Sequence, residues 1–274
     1  MKNCKIISIA NQKGGVGKTT TALNLGVALS KQGKKILLID ADPQGDLTTY
    51  LGIENQDNIP ITLSTLFEQA INKAPIPMTG AILTHDEGIR FIPSNLDLSA
   101  TEISLYSVKD RENILKQCLS KIKDDYDYIL IDCMPSLGIL TINALACSDS
   151  VIIPVQSHYL AAKGMTHLLQ TINRVKGNIN PKLQVDGVLL TLVDNRTNLA
   201  KEIKGTLQEL YGSKLNIFKT SIPLAIKTAE STMEGKSIFS YAKNNKVADA
   251  YSSLSKEVLK NDKDRLKKQT AIIR

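Results

Sequence analysis

The sequence predicts an α/β fold, a mostly parallel twisted sheet with helices on both faces. Two observations lead there. Short apolar runs of strand length alternate with segments of helical period, and a glycine-rich turn joins the first such run to the first such segment. Ile36-Leu-Leu-Ile39, Ile129-Leu-Ile131 and Val151-Ile-Ile153 are apolar without alternation, the pattern of strands buried on both faces of a parallel sheet. Repetition of strand and helix along one chain fits an open, doubly covered sheet.

In chain order, the strand candidates are residues 5–10, 35–40, 88–93, 128–132, 150–155, 185–192 and 217–220. The helix candidates are 19–32, 63–72, 111–123, 137–146, 161–176, 198–211 and 247–260; the first stops at Gly33, a common helix terminator. Residues 52–86, with Pro75-Ile-Pro77 and scattered polar residues, read as a surface excursion. No repeat or low-complexity linker divides the chain. The expected organisation is one domain over 1–260 and a basic extension over 261–274.

At 274 residues the chain can bury a sizeable core. It has no tryptophan and few aromatics, which argues against single-strand nucleic-acid binding on rows of stacked rings. The net charge of +7 suits a polyanionic partner such as DNA or an anionic membrane surface, or serves solubility alone. Cys4, Cys118, Cys133 and Cys147 form no C-x-x-C pair and read as reduced thiols of a cytoplasmic protein. No signal peptide is expected at the start, and no apolar stretch reaches the length of a membrane span. His85, His158 and His167 have no metal-ligand partners at useful spacing.

The chemistry starts at Lys13-Gly14-Gly15-Val16-Gly17-Lys18-Thr19, after an apolar strand and before a helix. That context is what a phosphate-binding loop requires, although Gln12 stands where the usual G-x-x-x-x-G-K-[ST] pattern opens with glycine. Gly14 and Gly15 let the backbone fold so that its N–H groups face an anion, and the following helix adds its positive end. Lys18 would hold the β- and γ-phosphates of a nucleotide, Thr19 would ligate Mg²⁺, and Thr20 would reach the α-phosphate. A chance glycine-rich turn is the competing explanation. Two further strands end in carboxylates: Asp40 and Asp42 close one, and Asp132 closes the other. The carboxyl ends of strands are where such sheets bind ligands.

Asn11-Gln-Lys-Gly-Gly-Val-Gly-Lys-Thr-Thr20 resembles the variant phosphate loop of the ParA/MinD-type ATPases, within the P-loop NTPases. The resemblance implies a sheet of seven or eight strands, ATP and Mg²⁺ as cofactors, and an ATP-dependent homodimer in which Lys13 reaches the partner's nucleotide. It assigns Asp42 to orienting the attacking water and Asp40 to supporting the metal region. Asp132 would hold Mg²⁺ through water, and Gly14, Gly15, Val16 and Gly17 would cradle the phosphates. Met134-Pro135-Ser136 departs from the family's Pro-Pro-Ser, which leaves the path of that loop open. In the ParA/Soj branch Arg196 would make non-specific DNA contacts. Lys227 falls where a second arginine is common, keeping the charge without the bidentate fork, and Leu224 replaces another commonly basic position. Lys201, Lys204, Lys243 and Lys246 could join that surface, and Pro223 would lie near the adenine.

The function implied is a partition ATPase that dimerises on ATP, coats double-stranded DNA without sequence preference and is released when a ParB-like partner stimulates hydrolysis. Such a protein would be cytoplasmic and nucleoid-associated. The alternative is a MinD-like membrane-cycling ATPase. Membrane binding is disfavoured because Val258, Leu259 and Leu266 are too sparse for a broad apolar face on the carboxyl-terminal segment. An amino-terminal helix-turn-helix is not expected, since the phosphate loop begins about twelve residues in. An iron–sulfur cluster on Cys133, as in the nitrogenase-reductase branch, lacks a second cysteine in a suitable loop.

Overall fold

In the computed structural model, which describes residues 4–157, 161–194 and 198–272, the unalternating apolar runs become the centre of a sheet. The strands are β1 (Lys5–Ile9), β2 (Ile36–Ala41), β3 (Leu83–Thr84), β4 (Arg90–Ile92), β5 (Tyr128–Cys133), β6 (Ser150–Gln156) and β7 (Gln184–Thr191). Among the described residues they form one seven-stranded sheet in the order β3-β4-β2-β5-β1-β6-β7, as the α/β expectation requires. All neighbours are parallel except β3 against β4. The helices are α1 (Lys18–Ser30), α2 (Asp46–Tyr50), α3 (Leu63–Ile71), α4 (Met78–Ala81), α5 (Asp97–Leu105), α6 (Ile114–Leu119), α7 (Ile139–Cys147), α8 (Ala161–Asn178), α9 (Asn198–Tyr211), α10 (Ile226–Met233), α11 (Ile238–Tyr241) and α12 (Lys246–Ile272).

Side chains of a strand point alternately to its two faces, and here both faces are apolar. Ile7 and Ile9 of β1, Leu38 of β2 and Leu130 of β5 pack with α1 and α12. Ile6, Leu37, Ile39, Ile129 and Ile131 pack on the other side with α3, α5, α6, α7 and α8. β1 lies between β5 and β6, so the strand order reverses at its carboxyl end. That crevice is where an open α/β sheet takes its ligand.

Three expectations are corrected. Residues 217–220 are not a strand: Ile217 makes a single bridge to Val188, after which the Glu257 carboxylate of α12 accepts from Lys219 N–H (3.0 Å), Thr220 N–H (2.9 Å) and the Thr220 hydroxyl (2.7 Å). A carboxylate thus takes the donors that a ladder would need. Residues 52–86 are not a mere surface excursion, because Leu63, Leu66, Phe67, Met78 and Ala81 are core residues. Pro60 and Pro75 stay exposed, while Thr62 and Ser64 are buried with the core residues.

The end of the chain is the third correction. The expectation sets a basic extension apart from the domain at 261, yet α12 runs through 260–261 without a break to Ile272. Its buried stripe Val247, Tyr251, Leu254 and Val258 continues at helical spacing into Asp262 and Arg265. Asp262 accepts from the Tyr128 hydroxyl (2.6 Å) and pairs with Lys5; Arg265 pairs with Asp186. The apolar face looked sparse because charged residues take over the same stripe.

Candidate active site

The loop between β1 and α1 is shaped by two glycines. Gly15 (φ 68°) and Gly17 (φ 79°) adopt the left-handed region that glycine enters without a Cβ penalty. Such turns aim successive N–H groups at one point and make an anion nest, which the amino end of α1 extends. The two lysines of the motif part company. Lys18 is buried and its Nζ donates to Lys13 O (3.2 Å), whereas Lys13 is exposed, with only its backbone tied down by Asn11 Oδ1 (3.0 Å). Asn11 in turn donates to Pro154 O of β6 (2.7 Å). Thr19 and Thr20 stand on the first turn of α1, half-buried beside the loop.

Facing the loop are the carboxylates. Asp40 and Asp132 are register partners on β2 and β5, and both are buried. Asp40 is fully occupied: one oxygen accepts from Thr48 N–H (2.8 Å) and the Thr48 hydroxyl (2.7 Å), the other from Asp42 N–H (3.2 Å). Burial still lifts its pKa to about 7, against the pull of those bonds. Neither oxygen of Asp132 has a hydrogen-bond partner among the described residues. Burial first, then the neighbouring Asp40, raises Asp132 far above the usual carboxylate range; Thr19 and Lys18 beside it pull the other way. Asp42, at the mouth, accepts from Gln44 N–H (3.0 Å), and burial raises it too.

Two like carboxyls side by side in a low-dielectric interior cannot both ionise without a cation. Asp132 with two bare oxygens, next to the Thr19 hydroxyl, offers the hard oxygen donors that Mg²⁺ prefers, so these residues fit the ion. When bound, the ion would neutralise phosphate charge. The residues expected to act on phosphates (Lys18, Thr19, Thr20, Asp40, Asp42 and Asp132) thus converge at one end of the sheet.

The other expected residues are spread wider. Pro223 lies at the carboxyl end of β7, where it bridges Val193, on the same edge as the loop. Lys227 is exposed in the first turn of α10, and Lys243 and Lys246 are exposed near the start of α12. Arg196 and His158 lie outside the described residues, as do the side chains of Lys201 and Lys204. His85 bonds to Gly235 O (2.9 Å), away from the site, and His167 is exposed on α8. The Cys133 thiol is buried beneath α7, where burial pushes its pKa up to about 12.

The sequence reading missed Thr48, which anchors Asp40. It also missed Gln156 and Thr191, which bond to loop carbonyls (2.7 Å to Gly15 O, 2.8 Å to Val16 O). A signal existed, since both end apolar strands with a polar group, as Asp40 and Asp132 do.

Comparison with known proteins decides the family. A family model described as an AAA domain matches residues 4–185. The sporulation initiation inhibitor protein Soj of Bacillus subtilis is 44% identical over 257 residues, 94% of this chain and 99% of Soj. The chromosome partitioning protein ParA of Caulobacter vibrioides is 39% identical, covering 95% of this chain and 96% of its own. The chain belongs to the Soj/ParA family of partition ATPases. Its fold is shared more widely. A cobyrinic acid a,c-diamide synthase from Mycobacterium smegmatis, solved with ADP and magnesium, superposes with a TM-score of 0.83 at 34% identity, over 95% of this chain and 96% of that one. One fold carries differently named activities, so the partition assignment rests on the Soj and ParA relatives.

Proposed function

We propose that this Soj/ParA-family chain binds ATP with Mg²⁺ and hydrolyses it to drive a cycle of dimerisation and DNA release. The observation that carries this is the contrast between the two loop lysines: Lys18 turned inward and buried, Lys13 exposed at the rim. An inward lysine serves the chain's own phosphates. An exposed one at the same rim is free to reach the nucleotide of a second copy. Lys18 neutralises β/γ-phosphate charge, the amides of 14–17 position the phosphates, and Asp42 at the mouth orients the attacking water. Positioning and charge neutralisation supply most of the catalysis in phosphoryl transfer. Asp40 holds the loop that carries Asp42 through its bonds to Thr48 and Asp42 N–H.

In this cycle ATP acts as a switch through its different contacts in monomer and dimer. The dimer binds double-stranded DNA through phosphate contacts from Arg196 and Lys227, without sequence preference and with strong salt dependence. A ParB-like partner stimulates hydrolysis and so releases the dimer, and the protein is nucleoid-associated in the cytoplasm. Among the described residues no helix is long and apolar enough to cross a membrane.

The test is Lys13→Ala. Nucleotide affinity by calorimetry should stay within about threefold, while ATP-dependent dimers, followed by light scattering, and ATP-dependent DNA binding should both vanish. Dimers that persist with ATP would remove Lys13 from the interface.

A further inference from the structure

Two carbonyls of the phosphate loop are held from outside the loop. Gln156, the last residue of β6, donates from Nε2 to Gly15 O at 2.7 Å, and Thr191, the last residue of β7, donates its hydroxyl to Val16 O at 2.8 Å. The two donors are register partners across the β6–β7 ladder, so they act side by side on consecutive peptide units. Thr191 is buried, and no water competes for that bond at the surface. Directly after it the backbone turns through left-handed Leu192 (φ 52°), which ends β7 at the residue that holds Val16.

A trans peptide is planar, so its C=O and the N–H of the next residue point in opposite directions. Drawing Gly15 O toward β6 turns Val16 N–H away from Gln156. Drawing Val16 O toward β7 turns Gly17 N–H away from Thr191. Glycine at 15 and 17 permits the left-handed turns of the nest, yet the same freedom lets these peptide planes rotate. Restraint therefore has to come from neighbouring strands. We propose that Gln156 and Thr191 are positioning residues that preset the Val16 and Gly17 amides toward a bound phosphate, so that the nest is oriented before nucleotide arrives. This rests on the nucleotide reading of the loop. Presetting donors spares their reorganisation when charge arrives.

The experiment uses the full chain. Thr191→Val removes the hydroxyl at constant shape, Thr191→Ser restores it, and Gln156→Glu replaces the donor with an acceptor. Mg²⁺–ADP affinity is measured by calorimetry, and the Val16 and Gly17 amides are followed by ¹H–¹⁵N spectra with and without ADP. Thr191→Val and Gln156→Glu should each weaken ADP about tenfold, with Thr191→Ser within about threefold of the parent. Each loss should be local: the ADP-induced shift of Gly17 disappears in Thr191→Val, and that of Val16 in Gln156→Glu. Parent-like affinity with a parent-like Gly17 shift in Thr191→Val would overturn the proposal. Should Thr191→Val melt much earlier than the parent, Gln156→Glu, at a half-buried site, decides by the same criteria. A parent protein that binds no Mg²⁺–ADP, or binds it equally well as Lys18→Ala, would overturn the nucleotide reading itself and this inference with it.

Discussion

The two ends of the sheet treat buried charge in opposite ways. At the amino ends of the strands, Asp186 is only 2% exposed, yet it is met by Lys5 (2.8 Å), the Ser150 hydroxyl (2.7 Å) and Arg265, while Asp262 takes Lys5 and Tyr128. Two acids and two bases close a network that docks the end of α12. At the carboxyl ends, Asp40 and Asp132 sit side by side as two acids that cannot both ionise, and Asp132 is unpartnered among the described residues. β1 and β5 take part at both ends: β1 starts at Lys5 and leads into the phosphate loop, and β5 starts at Tyr128 and carries Asp132 near its end. Charge that holds the fold is matched inside the chain, and charge that works on a ligand is left for the ligand to match. Uncompensated buried groups mark function for this reason.

The comparison breaks if either end behaves like the other. Asp186→Ala should have the largest effect. It leaves Arg265 without its carboxylate and Lys5 with Asp262 alone, and removing one side of a buried pair costs about 3–5 kcal/mol. Urea denaturation should show that loss, while nucleotide affinity per folded molecule stays the same. An affinity that falls in step with stability would mean the two ends are coupled. Asp132→Asn should do the reverse. ATP turnover should drop about a hundredfold, about 2.7 kcal/mol of barrier. The ligand-free protein should be more stable by about 1 kcal/mol, because the amide needs no proton on folding, whereas the raised Asp132 carboxyl has to take one up. A variant that loses stability together with turnover would show that Asp132 is part of the packing and not reserved for a cation.

What could be read from the sequence follows from the same division. The central strands and the loop-and-carboxylate set were legible because each depends on local pattern: an apolar run, a glycine pair, an acid at a strand's end. The α12 dock was not, because its stripe changes from Val258 to Asp262 and Arg265, and hydrophobic period cannot follow a face that becomes charged. The groups that set the site's geometry were equally hidden. Thr48 reaches back eight residues to Asp40, and Gln156 and Thr191 reach the loop from strands that are distant in sequence. The contacts of Gln156 and Thr191 exist only once the sheet order has placed β6 beside β1 and β7 beyond it. Residues 217–220 carry a strand-like composition, but the Glu257 carboxylate of α12 takes the donors of Lys219 and Thr220, a competition no local window contains.

The smallest effect concerns protons. Asp40 has its pKa raised from 3.8 to about 7 by burial. Between those values the native state holds a proton that the unfolded chain has released, so stability is greatest below the unfolded pKa and declines as pH rises through the folded one. From pH 6 to 7.5, Asp40 alone should remove about 1 kcal/mol from the ligand-free protein, with little further change above. Asp132, raised in the same direction, steepens the fall. Melting across this range should therefore show a decline that Asp40→Asn makes shallower and that saturating Mg²⁺–ADP flattens, because a bound cation favours the ionised carboxylates. The paired end predicts no such response to the ligand: in the Asp186→Ala protein the decline should survive at full slope and still flatten with Mg²⁺–ADP. A decline untouched by both Asp40→Asn and Mg²⁺–ADP would place the titrating groups elsewhere, and the carboxyl end of the sheet would then lose its claim to hold the uncompensated charge.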